Sequence, residues 1–284
     1  MKTKAHKWQI RKFLFYKALS QGALLMAFAA LAAVILFILI RGLPYVNGHL
    51  LFGRYDSKSP TIGPALAGTM YLILLSVAIA APIGIGSAIF LAEYTKTKSR
   101  LLKTVRVAVE TLAGIPSIVY GIFGYLVFVV MLRLRYSLLG GGVTLAIMIL
   151  PLIIRGTEES LLAVPRSLRE GSFALGSSKL RTVFSVVLPC AASGIVTSLI
   201  LSIGRIISES AVLILTIGMV VDRMPKGLLS SGTSLALDVY YFSSHGYPEQ
   251  AAATGVVLLA LVVCVNALAT VLGRAFGKGE LVNG

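Results

Sequence analysis

Residues 66–91 read LAGTMYLILLSVAIAAPIGIGSAIFL, a run of 26 residues without a charged side chain. A helix needs about 20 apolar residues to cross a bilayer, and it must satisfy every backbone polar group within the segment. This run meets both requirements and therefore predicts a transmembrane helix.

Similar apolar stretches occur on both sides of this run. They are 22–40, 112–132, 138–154, 190–221 and 252–272. The stretch 138–154 is short, and 190–221 contains charged residues, so it is expected to be tilted or broken. We predict an all-α membrane protein with about six spans in one transmembrane domain, 22–273, between a basic tail, 1–21, and a second tail, 274–284.

The composition favours a membrane environment over water. Hydrophobic residues make up 57% of the chain and charged residues 13%, whereas soluble domains carry about 25% charged residues. The net charge is +15, but the basic residues lie in short runs between apolar stretches. This pattern indicates an anionic lipid surface as the partner and argues against nucleic acid. The basic N-terminus resembles a signal peptide, but the run to residue 40 is long enough to be a retained span.

The distribution of Lys and Arg predicts the orientation. The two tails and the loops after the second and fourth spans hold 18 of these residues, and the other loops hold seven. Basic residues concentrate on the cytoplasmic side of membrane proteins. We therefore expect both termini, and the long loop 155–189, to be cytoplasmic.

Within that loop, residues 169–176 read REGSFALG, and Leu188-Pro189 follows later. Pro165 is suited to the first turn of a helix, and Gly176 to its end. Gly171 and Ser172 are small enough to let another surface approach closely. The pattern predicts a short amphipathic helix that docks a partner, with an ordinary interfacial helix as the alternative.

The spacing in this loop resembles the EAA loop of ABC importer permeases. That loop has Glu, two small residues, Gly six positions after the Glu, and Leu-Pro at eighteen and nineteen. In that family the loop sits in a cleft of the ATPase subunit. The resemblance implies that coupling to an ATPase involves Arg169, Glu170, Gly171, Ser172, Gly176, Leu188 and Pro189.

Charged residues also occur inside an apolar stretch. Arg205 and Glu209 are four positions apart, so on a continuous helix they share one face, with Ser198 and Ser202 on or near it. A charge near the centre of a membrane helix costs about 2.5–3.5 kcal/mol. The Arg205 fork of donors suits phosphate oxygens, and Glu209 can hold that fork. A purely structural ion pair is the alternative.

Two further segments carry a family resemblance. Residues 204–213, GRIISESAVL, resemble the Gly-Arg-x-x-Gly-Glu-Thr-Ala-Pro-Leu segment of phosphate permeases of the PstA type. Ser208, Ser210 and Val212 replace its Gly, Thr and Pro. Residues 112–121, LAGIPSIVYG, resemble the Gly-x-Pro-Ser-x-x-x-Gly segment of the same family, where Gly and Pro loosen a helix entry.

The resemblance implies a non-catalytic permease subunit of a phosphate importer, with a type I ABC permease bundle. Arg205 and Glu209 would line the substrate path. The chain would bind no cofactor, and a partner ATPase would use ATP. The other implied partners are a PstC-type permease as a heterodimer, an extracytoplasmic phosphate-binding protein and membrane lipids. The location would be the cytoplasmic (inner) membrane of a bacterium or archaeon.

Absent motifs narrow the alternatives. The sequence has no P-loop motif, so the chain is not expected to hydrolyse ATP. Its histidines, His6, His49 and His245, show no metal-ligand spacing. Transport of another oxyanion remains open. A secondary transporter predicts inverted repeats, and a lipid-phosphate enzyme predicts a cluster of His, Asp or Lys. Neither sign is apparent.

Overall fold

The computed structural model describes residues 2–53, 55–56, 60–95 and 100–278. The predicted all-α fold is confirmed. The described residues form α1 Lys2–Gly42, α2 Gly48–Phe52, α3 Gly63–Ile89, α4 Arg100–Ala113, α5 Ser117–Gly124, α6 Leu138–Ala163, α7 Arg166–Ala174, α8 Lys179–Thr182, α9 Leu188–Ile207, α10 Ala211–Thr216, α11 Leu235–Ser244 and α12 Pro248–Lys278. π-helical segments continue α3 (Phe90–Tyr94) and α5 (Tyr125–Met131) and join α8 to α9 (Val183–Val187).

The prediction of about six spans is confirmed as well. Within the described chain, five helical segments are long and apolar enough to cross a bilayer: Lys12–Tyr45, Gly63–Tyr94, Leu138–Ala163, Lys179–Ile207 and Pro248–Val271. A sixth is a bent pair, Leu102–Ala113 with Ser117–Met131.

The predicted ends of several spans are wrong. α1 is helical from Lys2, so the basic stretch belongs to the same helix as the first span. α6 continues to Ala163, and the next span begins at Lys179, so the predicted loop 155–189 shrinks to residues 164–178. The charged residues of α6 are tolerated because they pair, as in the 2.6 Å contact of Arg106 with Glu158.

Some basic residues used for the predicted orientation cannot be placed. Arg54, Lys58, Lys96 and Lys98 lie outside the described residues, and so does the part of the predicted C-terminal tail from residue 279 onward.

The predicted span 112–132 is bent rather than merely loosened at its start. α4 and α5 meet at 94°, with Gly114-Ile115-Pro116 between them. Pro116 precedes α5 with extended backbone (φ −58°, ψ 138°). Proline lacks an N–H and disfavours a helical conformation in the residue before it, so a continuous helix cannot pass through this position.

The predicted span 190–221 is also interrupted. α9 ends at Ile207, and α10 begins at Ala211. The intervening serine-rich turn breaks the helix although it contains neither the glycine nor the proline of the family pattern. Serine side chains compete for backbone hydrogen bonds, and the Ser208 hydroxyl donates to the Gly204 carbonyl at 2.8 Å.

Helix α6 lies at the centre of the bundle, between α3 and α9. The contact with α9 depends on small residues. A Cβ on Gly156 would lie 2.5 Å from the Ser198 Cβ, and one on Gly194 would lie 2.8 Å from the Ser160 Cβ. These separations leave no room for a larger side chain, so α6 and α9 are interlocked.

The bundle has two distinct ends. The α7 end contains α7, α8 and the end of the π-helical segment after α3. The α11 end contains α2, α11 and the connections 132–137 and 217–234. There the N–H groups of Leu138 and Leu139 donate to the carbonyls of Ser230 and Leu228 at 3.0 and 2.7 Å. These bonds satisfy donors that a helix N-terminus leaves free.

From Lys12 onward, helix α1 is mostly exposed, in contrast to α6. Its close packing is at its last residue, where a Cβ on Gly42 would lie 2.6 Å from Val256 Cγ2 of α12. Because this contact joins the end of α1 to the start of α12, α1 runs from the α7 end toward the α11 end and α12 runs back toward the α7 end.

Gly68 of α3 provides a test of this packing. A Cβ at this position would overlap the Thr233 carbonyl oxygen. We expect Gly68→Ala to lower the melting temperature in detergent, since overpacking costs roughly 1–3 kcal/mol. The matched control is Gly86→Ala in the same helix, where a Cβ meets no atom within 4 Å. Alanine favours a helix, so this control should be neutral or mildly stabilising. Equal effects of the two substitutions would contradict the packing argument.

A buried acid lies in the first turn of α11. Asp238 is 0% exposed, and the Thr233 hydroxyl donates to one of its carboxyl oxygens. The second oxygen has no hydrogen-bond partner among the described residues. Burial raises the pKa of Asp238 to about 8, and the Thr233 hydrogen bond only partly opposes this effect.

This acid makes stability depend on pH. Its folded-state pKa exceeds the ordinary value, so the folded protein binds the proton more tightly than the unfolded chain does. Stability should therefore decline as the pH rises from 3.8 toward about 8. We expect Asp238→Asn to flatten this decline and to raise the melting temperature in alkaline buffer. Exposed Asp222→Asn is the control. If the melting temperatures of wild type and Asp238→Asn changed with pH in parallel, Asp238 would not be the source of the pH dependence.

Candidate functional site: helix α7 and the Arg205 surface

Local sequence sets both ends of α7. Pro165 precedes the helix in extended conformation (φ −58°, ψ 138°), so it caps the helix instead of occupying its first turn as predicted. Gly176 has φ +79°, and its N–H donates to the Phe173 carbonyl at 2.9 Å. Glycine adopts this left-handed conformation without a steric penalty, so its predicted role in ending the helix is confirmed.

Arg169 of α7 points into the bundle. Its Nε and Nη2 donate to Glu93 Oε1 at 3.1 and 2.8 Å. Nη1 donates to the Val164 carbonyl at 2.7 Å, and Nη2 also donates to the Leu161 carbonyl at 2.8 Å. The Arg169 and Glu93 side chains are 16% and 10% exposed. Arg169 therefore attaches α7 to the rest of the chain.

Two further contacts hold the segment after α7. The hydroxyls of Ser172 and Thr182 are 2.9 Å apart, which links α7 to α8. The Lys179 ammonium lies 5.0 Å from the centre of the Tyr94 ring, a cation–π distance. α7 and α8 thus form a hairpin attached to the end of α3.

The outward-facing surface of α7, which we call its open face, contacts no other described part of the chain at Gly171. Glu170 and Gly171 are exposed, and a Cβ on Gly171 would meet no atom within 4 Å. Phe173 and Leu175 are 45% and 89% exposed. This face combines a carboxylate, a small residue and large apolar side chains, the composition expected of a surface that another protein covers.

Leu188 and Pro189 do not belong to the loop in which they were predicted. They lie at the start of α9, inside the continuous span Lys179–Ile207. Proline inside a helix removes one backbone hydrogen bond and clashes with the preceding turn. The π-helical turn Val183–Val187 immediately before Pro189 accommodates this defect.

Arg205 lies in the last turn of α9 and is exposed. A Cβ on the adjacent Gly204 would meet no atom within 4 Å, so this face is open. The rise of 1.5 Å per helical residue places Arg205 roughly 39 Å from Lys179, toward the α11 end. The exposed face of α9 also includes Thr197, Leu201 and Ser208.

Tyr120 lies close enough to Arg205 to interact with it electrostatically. Its hydroxyl donates to the Leu112 carbonyl at 2.8 Å, which connects α5 to α4 across their bend. The α4–α5 bend and Arg205 are therefore close together in the structure.

Glu209 does not share the helix face of Arg205, and that prediction is wrong because α9 ends at Ile207. The side chain is 9% exposed, and its Oε1 accepts a hydrogen bond from the Val212 N–H of α10 at 3.3 Å. Among the described residues, no ion pair joins Glu209 to Arg205. A carboxylate at this position instead stabilises the first turn of α10.

Ser198 and Ser202 also do not share the exposed face of Arg205. Both are buried, and their hydroxyls donate to the carbonyls of Ile195 and Ser198 at 2.8 and 2.9 Å. Ser198 belongs to the interlocked contact with α6.

Sequence reasoning gave no role to Glu93 or Tyr120. Glu93 was detectable as a lone carboxylate at the end of an apolar run, just before a basic segment. Tyr120 lies in the segment 112–121, whose Gly and Pro predicted a loosened helix entry. Its hydrogen bond to the Leu112 carbonyl depends on the bend between α4 and α5. Within the described residues, no group of three His, Cys, Asp or Glu side chains could hold a metal.

The described chain is a bundle of membrane-spanning helices with an outward-facing helix between two spans, an architecture that suits a subunit of a membrane transporter. The chain belongs to the family of binding-protein-dependent transport system inner membrane components, whose sequence model matches residues 80–278. It is therefore a multi-pass inner membrane subunit of an ABC importer. Such subunits are non-catalytic, and a partner ATPase hydrolyses ATP.

Named relatives confirm the resemblance to the PstA type. The chain is 36% identical over 211 residues to "Phosphate transport system permease protein PstA" of Yersinia pestis, covering 73% of this chain and 70% of that protein. It is 32% identical over 282 residues to "Probable ABC transporter permease protein YqgI" of Bacillus subtilis, covering 90% and 96%.

Solved structures agree on the fold. A bacterial alginate ABC transporter chain matches with a TM-score of 0.70 at 15% identity, covering 94% of this chain and 96% of that chain. A chain of the inward-facing MetNI methionine ABC transporter matches with a TM-score of 0.60 at 23% identity, covering 76% and 94%.

Proposed function

We propose that this chain forms half of the pore of an ATP-driven inorganic phosphate importer, with a PstC-type sister permease as the other half. The observation that carries the proposal is the exposed Arg205 on the open face of α9. The PstA names of the relatives support phosphate as the substrate.

The energetics of a buried charge support this role for Arg205. A guanidinium facing lipid tails is costly, so arginines in spans face a bundle interior or a water path. A second permease seated on the open face of α9 would enclose Arg205 in such a path. The planar guanidinium fork then offers paired hydrogen bonds to a tetrahedral oxyanion.

The proposal also puts the α7 end in the cytoplasm. α1 begins there and α12 ends there, and the basic segments of the sequence cluster in the same parts of the chain. The positive-inside rule favours this orientation, with both termini inside. The open face of α7 would then be available to the ATPase, and the α11 end would meet the extracytoplasmic phosphate-binding protein.

Reconstitution tests the proposal. The chain is co-expressed with a PstC-type permease and an ATPase, and the complex is inserted into vesicles and supplied with loaded binding protein. We expect uptake of radiolabelled phosphate that requires ATP and persists when ionophores collapse the ion gradients. Uptake that follows an ion gradient and ignores ATP would overturn the assignment.

Competition separates phosphate from other oxyanions. A tenfold excess of sulfate or phosphonate over phosphate should leave phosphate uptake unchanged. Such an excess would offset a preference for phosphate of only about 1.4 kcal/mol in binding free energy. Preferential uptake of sulfate or phosphonate would keep the importer class and replace the substrate.

A further inference from the structure

The Glu93–Arg169 contact joins three parts of the chain through one side chain. Arg169 belongs to α7, and Glu93 to the π-helical segment that continues α3. The carbonyls of Leu161 and Val164 lie at the end of α6. Arginine has five N–H donors, and Arg169 uses four of them in hydrogen bonds of 2.7–3.1 Å.

The contact is built to be stiff. Both side chains are largely buried, at 16% and 10% exposure, so water competes weakly for them. The guanidinium is planar, and its donors have fixed directions. Its carbonyl acceptors lie at the end of α6, where the usual helical donors four residues on are missing; the Leu161 carbonyl also accepts from the Val164 N–H at 3.3 Å. Rotation of α7 about residues 164–165 would break all of these bonds together.

We propose that Glu93 and Arg169 are positioning residues that form a rigid joint, which transmits movement of α7 into α3 and α6. The inference rests on the proposed function, in which an ATPase grips and moves the open face of α7. Without the joint, α7 would keep only its connection to α6 and the weaker Ser172–Thr182 and Lys179–Tyr94 contacts, so less of its movement would reach α3 and α6. With the joint, α7, α3 and α6 move as one body.

The joint can be removed without leaving a buried charge. Arg169→Gln leaves Glu93 buried and unpaired, and Glu93→Gln leaves Arg169 in the same state, so each single variant should be destabilised. The double variant E93Q/R169Q removes both charges and should recover much of the melting temperature. The mechanical link stays lost in all three variants. Stability and coupling therefore separate.

The test uses the assembled complex in vesicles and measures ATP hydrolysed per phosphate taken up. We expect this ratio to rise roughly 3- to 30-fold in both single variants and in the double variant, the range that substitutions in coupled networks produce. R169K keeps the charge but loses the fork, so its ratio should be intermediate. Arg100→Gln, an exposed arginine in α4, is the matched control and should match wild type. A wild-type ratio in the double variant would overturn the joint.

A second readout does not depend on the substrate. Spin labels at Phe90→Cys and Ser167→Cys, both exposed, report the distance between the end of α3 and α7 in a background with Cys190 and Cys264 replaced by serine. Trapping the ATP-bound complex should leave this distance unchanged with the joint intact and broaden it in E93Q/R169Q. Identical distributions in both would refute the proposal. Failure of the phosphate assignment would instead appear in the wild-type uptake assay.

Discussion

Vesicles that carry the Arg205→Gln permease are expected to take up phosphate roughly 10- to 100-fold more slowly than wild type, the loss of one charge-assisted hydrogen bond. Glutamine has a similar length but lacks the charge and the fork. Arg205 is exposed and forms no ion pair with Glu209, so its removal leaves no buried partner behind. The complex should therefore assemble normally, and the defect should appear in initial uptake rates.

Graded variants sharpen this experiment. Arg205→Lys retains the charge without the planar fork and should fall between wild type and Arg205→Gln. The control Arg100→Gln removes an exposed arginine from α4 and should transport normally. Wild-type uptake by an assembled Arg205→Gln complex would remove Arg205 from the proposed path.

The Glu170→Lys variant is expected to lose its ATPase partner. Glu170 is exposed beside Gly171 on the open face of α7, and charge reversal there would place a cation where the proposed ATPase interface has a carboxylate. Disrupting a charge pair at an interface costs about 2–5 kcal/mol, which weakens association by roughly 30-fold or more. Co-purification with the ATPase measures the loss directly, and uptake should fall with it.

A charge reversal far from α7 controls for general damage. Glu249→Lys makes the same change on an exposed residue in the first turn of α12, at the α11 end. This variant should retain the ATPase. If Glu170→Lys retains the ATPase and transports as well as wild type, α7 is not the docking element.

The number of spans followed from sequence because apolar length is a local property. The breaks were harder to place. Pro116 indicated a helix entry, but the 94° bend depends on packing, where Gly121 meets α10 and a Cβ would lie 3.1 Å from the Ala211 carbonyl oxygen. The break after Ile207 occurs at serines, whose effect on a helix depends on their surroundings.

In the candidate site, too, local features could be predicted from sequence and features that depend on packing could not. Gly176 was predictable because one residue type suits a positive φ. Arg169 was assigned to the ATPase surface with its neighbours, yet it points inward because its acceptor, Glu93, lies 76 positions earlier in the chain. Arg205 and Glu209 were paired on the assumption of an unbroken helix. Spacing rules hold only within one continuous element.

The Gly–Ser contacts between α6 and α9 have a consequence for how cargo passes. With Gly156 against Ser198 and Gly194 against Ser160, these helices cannot slide past one another without a steric clash. A gate between α6 and α9 within this subunit would require one helix to slide along the other. In the proposed pore of two permeases, opening and closing would then take place at the interface between the two subunits.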